Sequence, residues 1–432
     1  MLLLHISDIH FKAKEFGRPD DPNLALRNDI VRDVEATRKR IGHQVDHILV
    51  SGDIAFAGKK EEYEYALDWF ENSLCPAAGC TLDKLFVVPG NHDVDRQAGS
   101  KIAQRGAKAN IRTYGAREID AVIREYMSDT ESASVLFAPI HNYNNFAANF
   151  LCQLSPFDKE ADRHPFARRD VVLNDGSILR LWGFNTVLVS DISDSDKEKN
   201  LIIDPSAAQI EIENGVTHLV MCHHPFNWLR NGQAFQDRIE KAAKIQLFGH
   251  EHTRRVDEGR KFTRIRAGAI QPDRDEDGWK PGYNFIDVSV KGAGADRQLA
   301  LKIWFRQLDG SNFIAIPDED GSDPWCLLHD LPAWVNTSVP PEPKAEVSEM
   351  ASSDESQEAP KATKRMVILK LLRLPPHEQQ RLIVDLELNE DGDQLLKDYE
   401  VAVASVRRAD EQLKLDDMDR RLDEYLNHGG DR

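Results

Sequence analysis

Two rhythms of apolar and polar residues run along this chain. Short unbroken apolar runs closed by polar residues read as strands buried on both faces, while apolar residues recurring every three or four positions read as helices. Leu2 to Ile6, Val45 to Val50 and Leu85 to Val88 are of the first kind. Asn23 to about Ile41, with Leu24, Ile30, Val31 and Val34 on one side, and Lys59 to Leu74 are of the second. Strands and helices in alternation predict an α/β arrangement. From about 94 to 169 the alternation stops, and a polar, mostly helical insertion is expected there as a cap beside the site. Strand signals return at Val171 to Leu173, Ile178 to Asn185, His218 to Cys222 and Ile245 to Phe248. Arg254 to Arg266 reads as a hairpin with Gly259 in its turn. Asn284 to Val290 and Leu299 to Phe305 complete a second group of strands, so two sheets packed face to face are expected. These elements fill a first domain over 1–335. Residues 336–364 are Pro, Glu, Ser, Ala and Lys with almost no large apolar side chains, the composition of a disordered linker. Helical periodicity resumes over 365–432, a small helical module for interaction.

Polar residues at the strand ends carry the chemistry. The first strand runs into Ser7-Asp8-Ile9-His10, the second into Ser51-Gly52-Asp53, the third into Pro89-Gly90-Asn91-His92-Asp93. Later strands end in His223-His224-Pro225 and Gly249-His250-Glu251-His252. The carboxyl end of a strand is where α/β sheets place their sites. Aspartate, asparagine oxygen and imidazole form a donor set without thiolates, suited to manganese, iron or zinc in pairs. His92 is positioned to act on substrate, and Asp93 is expected to orient its imidazole. A proline follows His224, so His223 is taken as the donor of that pair and His224 as a structural neighbour.

In this order, Asp-x-His, Gly-Asp, Gly-Asn-His-Asp, His and Gly-His-x-His resemble the calcineurin-like metallophosphoesterase superfamily, over roughly Met1 to Phe305. The resemblance implies a β-sandwich flanked by helices. It implies one metal ion on Asp8, His10 and His252, a second on Asn91, His223 and His250, and Asp53 bridging the two. Glu251 fills a variable position and is not expected to ligate. Two such cations, manganese first with iron or zinc as alternatives, ready a bridging hydroxide for in-line attack on phosphorus, and His92 offsets the charge or protonates the leaving oxygen. The motif forms look more like the phosphodiesterase and nuclease branches than the protein phosphatases. Six basic residues among the thirteen from Arg254 to Arg266 make a nuclease acting on DNA or RNA the leading expectation, with Arg254, Arg255 and Arg96 as substrate contacts. Cyclic-nucleotide hydrolysis is the rival.

Charge and cysteine content refine this picture. A net charge of −18 gives no global attraction to nucleic acid or an anionic membrane, so any nucleic-acid contact has to be local. Asn336 to Arg432 holds 14 basic and 22 acidic residues, which suits a protein partner better than nucleic acid. The layout is similar to bacterial conflict-system effectors, in which a calcineurin-like enzyme is tethered to a helical adaptor. That likeness rests on the architecture and on Leu374-Pro375-Pro376-His377-Glu378-Gln379 before Leu382. It makes a partner-recruited effector or scaffold the reading from another class. Five cysteines without paired spacing fit a reduced compartment. The first residues lack the basic start of a signal peptide, and no apolar run approaches the roughly 20 residues a bilayer requires. A cytoplasmic protein with no membrane segment is expected.

Overall fold

The computed structural model describes residues 1–251, 255–259, 261–271, 280–335 and 361–428. The chain falls into two compact units, Met1–Ala333 and Trp334–Arg432. In the first unit the strands, in chain order, begin with β1 (Leu2–Ile6), β2 (His47–Val50), β3 (Leu85–Val87), β4 (Phe166–Val172), β5 (Ile178–Phe184) and β6 (Val216–Cys222). They continue with β7 (Ala243–Phe248), β8 (Arg255–Gly259), β9 (Phe262–Arg266), β10 (Gly282–Lys291), β11 (Gln298–Asp309), β12 (Asn312–Ile316) and β13 (Trp325–Asp330). One sheet runs β12-β11-β10-β1-β2-β3 with β13 also paired to β11, and the other runs β4-β5-β6-β7-β9-β8.

Both sheets are parallel where the motifs emerge. β1, β2 and β3 run parallel in the first, and β5, β6, β7 and β9 in the second. Every residue of β1 and β2 is buried, as expected for strands covered on both faces. The sheets face one another as a sandwich. Gly183 of β5 lies so close to the first sheet that a Cβ there would stand 2.6 Å from Val88 Cγ1. Thr263 of β9 and His329 of β13 share a hydrogen bond of 2.7 Å across the same gap. Helices cover the outer faces. Helix Leu24–Ile41 buries Arg27, Ile30, Val34 and Thr37 at helical spacing. Helix Gly232–Ala242 seats Phe235 and Ile239 on Phe184, Val220 and Phe248. The expected fold, two sheets flanked by helices, is the one found.

Several boundaries differ from the sequence expectation. β4 starts at Phe166 rather than Val171, because it is an edge strand whose Arg168 and Asp170 face solvent and break the apolar run. Gly259 does not lie in the hairpin turn; it closes β8 opposite Phe262. β12 and β13, missed entirely, are short, largely exposed strands whose apolar runs span only Phe313 to Ile316 and Trp325 to Leu328. The segment after β3 contains helices Arg96–Gly99, Ile102–Arg112, Ile119–Ser128, Thr130–Phe137 and His141–Ala147. Most of the expected linker lies outside the described residues.

The second unit contains helices Lys364–Arg373, Pro376–Asp385, Asp398–Glu411 and Leu415–His428. Val367, Ile368, Leu371, Leu382, Ala402, Met418 and Leu422 form its core, each at most 1% exposed. Arg408 is buried and doubly bonded to Asp393 at 2.8 Å for each contact, a pairing that offsets the cost of enclosing a charge. Among the described residues no helix is long and apolar enough to cross a membrane.

Leu4 sits mid-strand in β1 between Ile48 and Phe285 and is fully buried. Leu4→Ala should lower unfolding free energy by roughly 2–5 kcal/mol, measured by urea denaturation.

Candidate metal centre

The carboxyl ends of β1, β2, β3, β6 and β7 converge at one edge of the sandwich, and their loops are stitched together by main chain. Asp8 N–H donates to Gly52 O (3.1 Å), His10 N–H to Asp53 O (3.0 Å) and Gly249 N–H to His223 O (3.2 Å). Four residues that the resemblance names as ligands adopt left-handed backbone, with φ of 54° at Asp8, 53° at His10, 53° at Asp53 and 66° at His250. Such conformations cost side-chain-bearing residues about 1–2 kcal/mol each and collect at functional sites. Gly90 permits the tightest approach: a Cβ there would stand 2.1 Å from Asp53 Oδ1.

Asp53 is the centre of the arrangement. Its Oδ2 lies 3.1 Å from His10 Nε2 and 3.3 Å from His223 Nε2, and its Oδ1 accepts the His92 N–H at 2.8 Å. His223 Nε2 is also 3.1 Å from Asn91 Oδ1 and 4.0 Å from Asp8 Oδ1. Each of three rings turns its other nitrogen to a main-chain carbonyl. His10 Nδ1 meets Gln271 O at 2.7 Å, His223 Nδ1 meets Ser51 O at 2.8 Å, and His92 Nδ1 meets Phe56 O at 2.8 Å. A carbonyl can only accept, so Nδ1 carries the proton and Nε2 of the neutral ring is left as a lone-pair donor. That orientation is the one imidazole takes toward a metal ion. Asp8 and Asp53 are 0% and 1% exposed. Among the described residues, donor atoms within 4.8 Å of one another form three groups: Asp8, Asp53 and His223; His10, Asp53 and His92; His223, His224 and His250. Oxygen and imidazole donors converging at such spacing fit divalent cations.

Electrostatics bind the cluster. Burial pushes the Asp53 carboxyl up, but His223 and His92 more than offset this and hold it well below the usual range. Burial pushes His223 down, and Asp53 and Asp8 outweigh it, raising the imidazole to about 9. Burial lowers His92, only partly countered by Asp53.

One sequence expectation is corrected. Asp93 does not orient His92. Its carboxylate is fully buried and accepts from Gly90 N (2.8 Å), Ala55 N (2.9 Å), Ile54 N (3.2 Å) and Tyr63 OH (2.9 Å), so it ties the β2 and β3 loops together. Burial, with Asp53 nearby, raises its pKa to about 7. The ring of His92 is held instead by Phe56 O, a main-chain acceptor that no motif reveals. His224, expected as a structural neighbour of His223, shares a 2.9 Å hydrogen bond with Thr186 Oγ1 through Nδ1 and lies beside His223 and His250. His250 packs edge-on to Trp228, with ring centroids 4.2 Å apart. Arg96 is exposed, and its charge opposes protonation of His92. His252, Arg254 and the side chain of Arg255 lie outside the described residues. Within the basic hairpin, Arg264 is bonded to Glu240 (2.7 Å) and Gln246 (3.0 Å), and Arg266 to Glu251 and Asp257.

A stretch of 94 residues is 34% identical to the glycerophosphodiester phosphodiesterase GpdQ of Enterobacter lignolyticus (strain SCF1), covering 22% of this chain and 30% of that one. A stretch of 93 residues is 28% identical to the uncharacterized metallophosphoesterase-like protein YydB of Bacillus subtilis (strain 168), covering 22% of this chain and 18% of that one. The matches thus span under a third of either relative's length. Vacuolar Protein Sorting 29 from Cryptosporidium parvum overlays 76% of this chain and 98% of its own at 13% identity, with a TM-score of 0.30 that is too low to weigh further. A family model for calcineurin-like phosphoesterases matches residues 1–254, which take in all five of the Asp, Asn and His motifs at the strand ends, and the chain belongs to that family.

Proposed function

We propose that the chain is a phosphodiesterase working with two divalent metal ions. Asp8, His10 and His252 would hold one ion and Asn91, His223 and His250 the other, with Asp53 available to both. The observation that carries this reading is the Asp53 carboxylate, whose Oδ2 stands 3.1 and 3.3 Å from two imidazole nitrogens that carbonyls have turned toward it. His252 enters through the motif alone. Bound there, the cations supply an acidified water and positive charge facing phosphorus, and manganese is the proposed identity.

The chain's own residues do the rest. Two buried carboxylates draw cations into the site, and imidazoles hold them without adding charge. His92, its ring centroid 4.5 Å from that of His10, presents Nε2 from the wall of the site. An anionic phosphate beside it favours the protonated ring, which then passes the Nε2 proton to the leaving oxygen. Asp93 keeps the loop carrying Asn91 and His92 in place.

A small phosphodiester is the proposed substrate class. The GpdQ stretch supports it, and so do Arg264 and Arg266, whose carboxylate partners leave them poorly placed to grip a nucleic-acid backbone. A nuclease is the second reading, favoured by two cations that flank His92. Arg96 is exposed there, and Lys12 lies 4.4 Å over the Phe56 ring. The helical unit over 361–428 is proposed as a partner-binding module, and the cytoplasm as the compartment.

Metal-loaded protein should hydrolyse bis-p-nitrophenyl phosphate and glycerophosphodiesters, while Asp53→Asn should lose both bound Mn²⁺ and at least about 100-fold in rate. No turnover of these, of cyclic nucleotides or of DNA and RNA with metal bound would leave a scaffold. His92→Ala should cut kcat by about 10²- to 10⁴-fold with metal content unchanged by atomic emission. In the metal-free protein His223 keeps its proton up to about pH 9, so Mn²⁺ has to displace it. Calorimetry in buffers of different ionisation enthalpy should show about one proton released near neutral pH, with affinity rising as pH approaches 9.

A further inference from the structure

We propose that Arg27 and Gln271 are positioning residues for the imidazole of His10, an inference that rests on His10 being a metal ligand. After β9 the chain crosses the end of β1 as a strap. Ile270 N–H donates to Ser7 O (3.0 Å), and Gln271 N–H donates to Asp8 O (2.8 Å). The carbonyl of Gln271 in turn accepts from His10 Nδ1 at 2.7 Å. The ring is therefore set by a peptide group that belongs to the strap, not to the loop carrying His10.

One side chain tethers that strap to the body of the domain. Gln271 Oε1 accepts from Arg27 Nη1 at 3.2 Å. Arg27 is fully buried in helix Leu24–Ile41, where its Nη2 donates to Asp21 and to Tyr65 OH (2.6 Å). Glu15 stands 3.9 Å from Nη1, and the guanidinium carbon lies 5.0 Å from the Tyr65 ring centroid and 5.5 Å from that of Phe11. An enclosed guanidinium is expensive to desolvate, and an apolar side chain would fill the space at lower cost. What the charge gives here is a rigid donor whose partners leave it little freedom. The planar fork spans Asp21 and Gln271 at once, which a lysine ammonium on a flexible stem does poorly. The path runs from a fixed guanidinium to a glutamine side chain, through its peptide to His10 Nδ1, and so to Nε2, 3.1 Å from Asp53 Oδ2. If the strap slides, Nε2 swings away from Asp53.

The test is Mn²⁺ titration of the metal-depleted full chain by calorimetry, with thermal melting alongside. Gln271→Ala removes only the tether and keeps the peptide. It should weaken one of two Mn²⁺ events by about 10- to 100-fold while the other stays within error. Gln271→Glu, still an acceptor for Arg27, should restore wild-type affinity, and Arg27→Lys should weaken the same single event. A lowered melting temperature for Gln271→Ala with an unmoved isotherm overturns the proposal, as does equal weakening of both events. Wild-type protein that takes up no Mn²⁺ would overturn the metal reading of His10 and this proposal with it.

Discussion

Burying a carboxylate works against its ionisation, and the end of this sandwich is built around that cost. Asp8 and Asp53 are both enclosed, yet Asp53 is held ionised because His223 and His92 stand against it. A mutual dependence follows. Main-chain carbonyls aim the rings, the carboxylate draws the facing imidazoles of His10 and His223, and it stays charged because of the rings around it. No single strand supplies both partners. Asp53 leaves β2, His10 follows β1, His92 follows β3 and His223 follows β6, so the cluster forms only when both sheets have assembled.

The same requirement explains the unusual backbone. A strand that continued past Asp8, His10, Asp53 or His250 would send these side chains to alternate faces, away from a common point. Left-handed turns at all four positions end the extended path and redirect each side chain inward. Asp93 then fastens two of the loops with one carboxylate, accepting main-chain N–H groups at positions 54, 55 and 90. Local strain and loop-to-loop hydrogen bonds thus belong to one solution.

Much of this was legible in the sequence. Buried parallel strands announce themselves as apolar runs, so β1, β2, β3, β6 and β7 were found, and with them the residues at their ends. Edge strands were read less well: β4 carries Arg168 and Asp170 on its exposed face, so only its end was seen, while β12 and β13 hold apolar runs of just four residues, Phe313 to Ile316 and Trp325 to Leu328, whose side chains are largely exposed. The donor residues were readable because few residue types can bind a metal. The groups that aim them were not. Ser51, Phe56 and Gln271 act through their carbonyls, and every residue has one. Nothing in the local sequence shows that the Arg27 side chain points inward. Asp93 misled for a related reason, since a carboxylate next to a histidine in sequence reads as its partner until the fold fills it with backbone donors.

The carbonyl tethers have an evolutionary corollary. Substituting Ser51 or Phe56 changes the side chain and leaves the acceptor oxygen where it was, so mutation cannot easily delete the groups that steer His223 and His92. Ring orientation here is inherited from the path of the main chain. Such a centre can drift widely in its surroundings while its aim persists, but an insertion that shifts the loop carrying Ser51 and Phe56 by one residue would turn the rings of His223 and His92 at once.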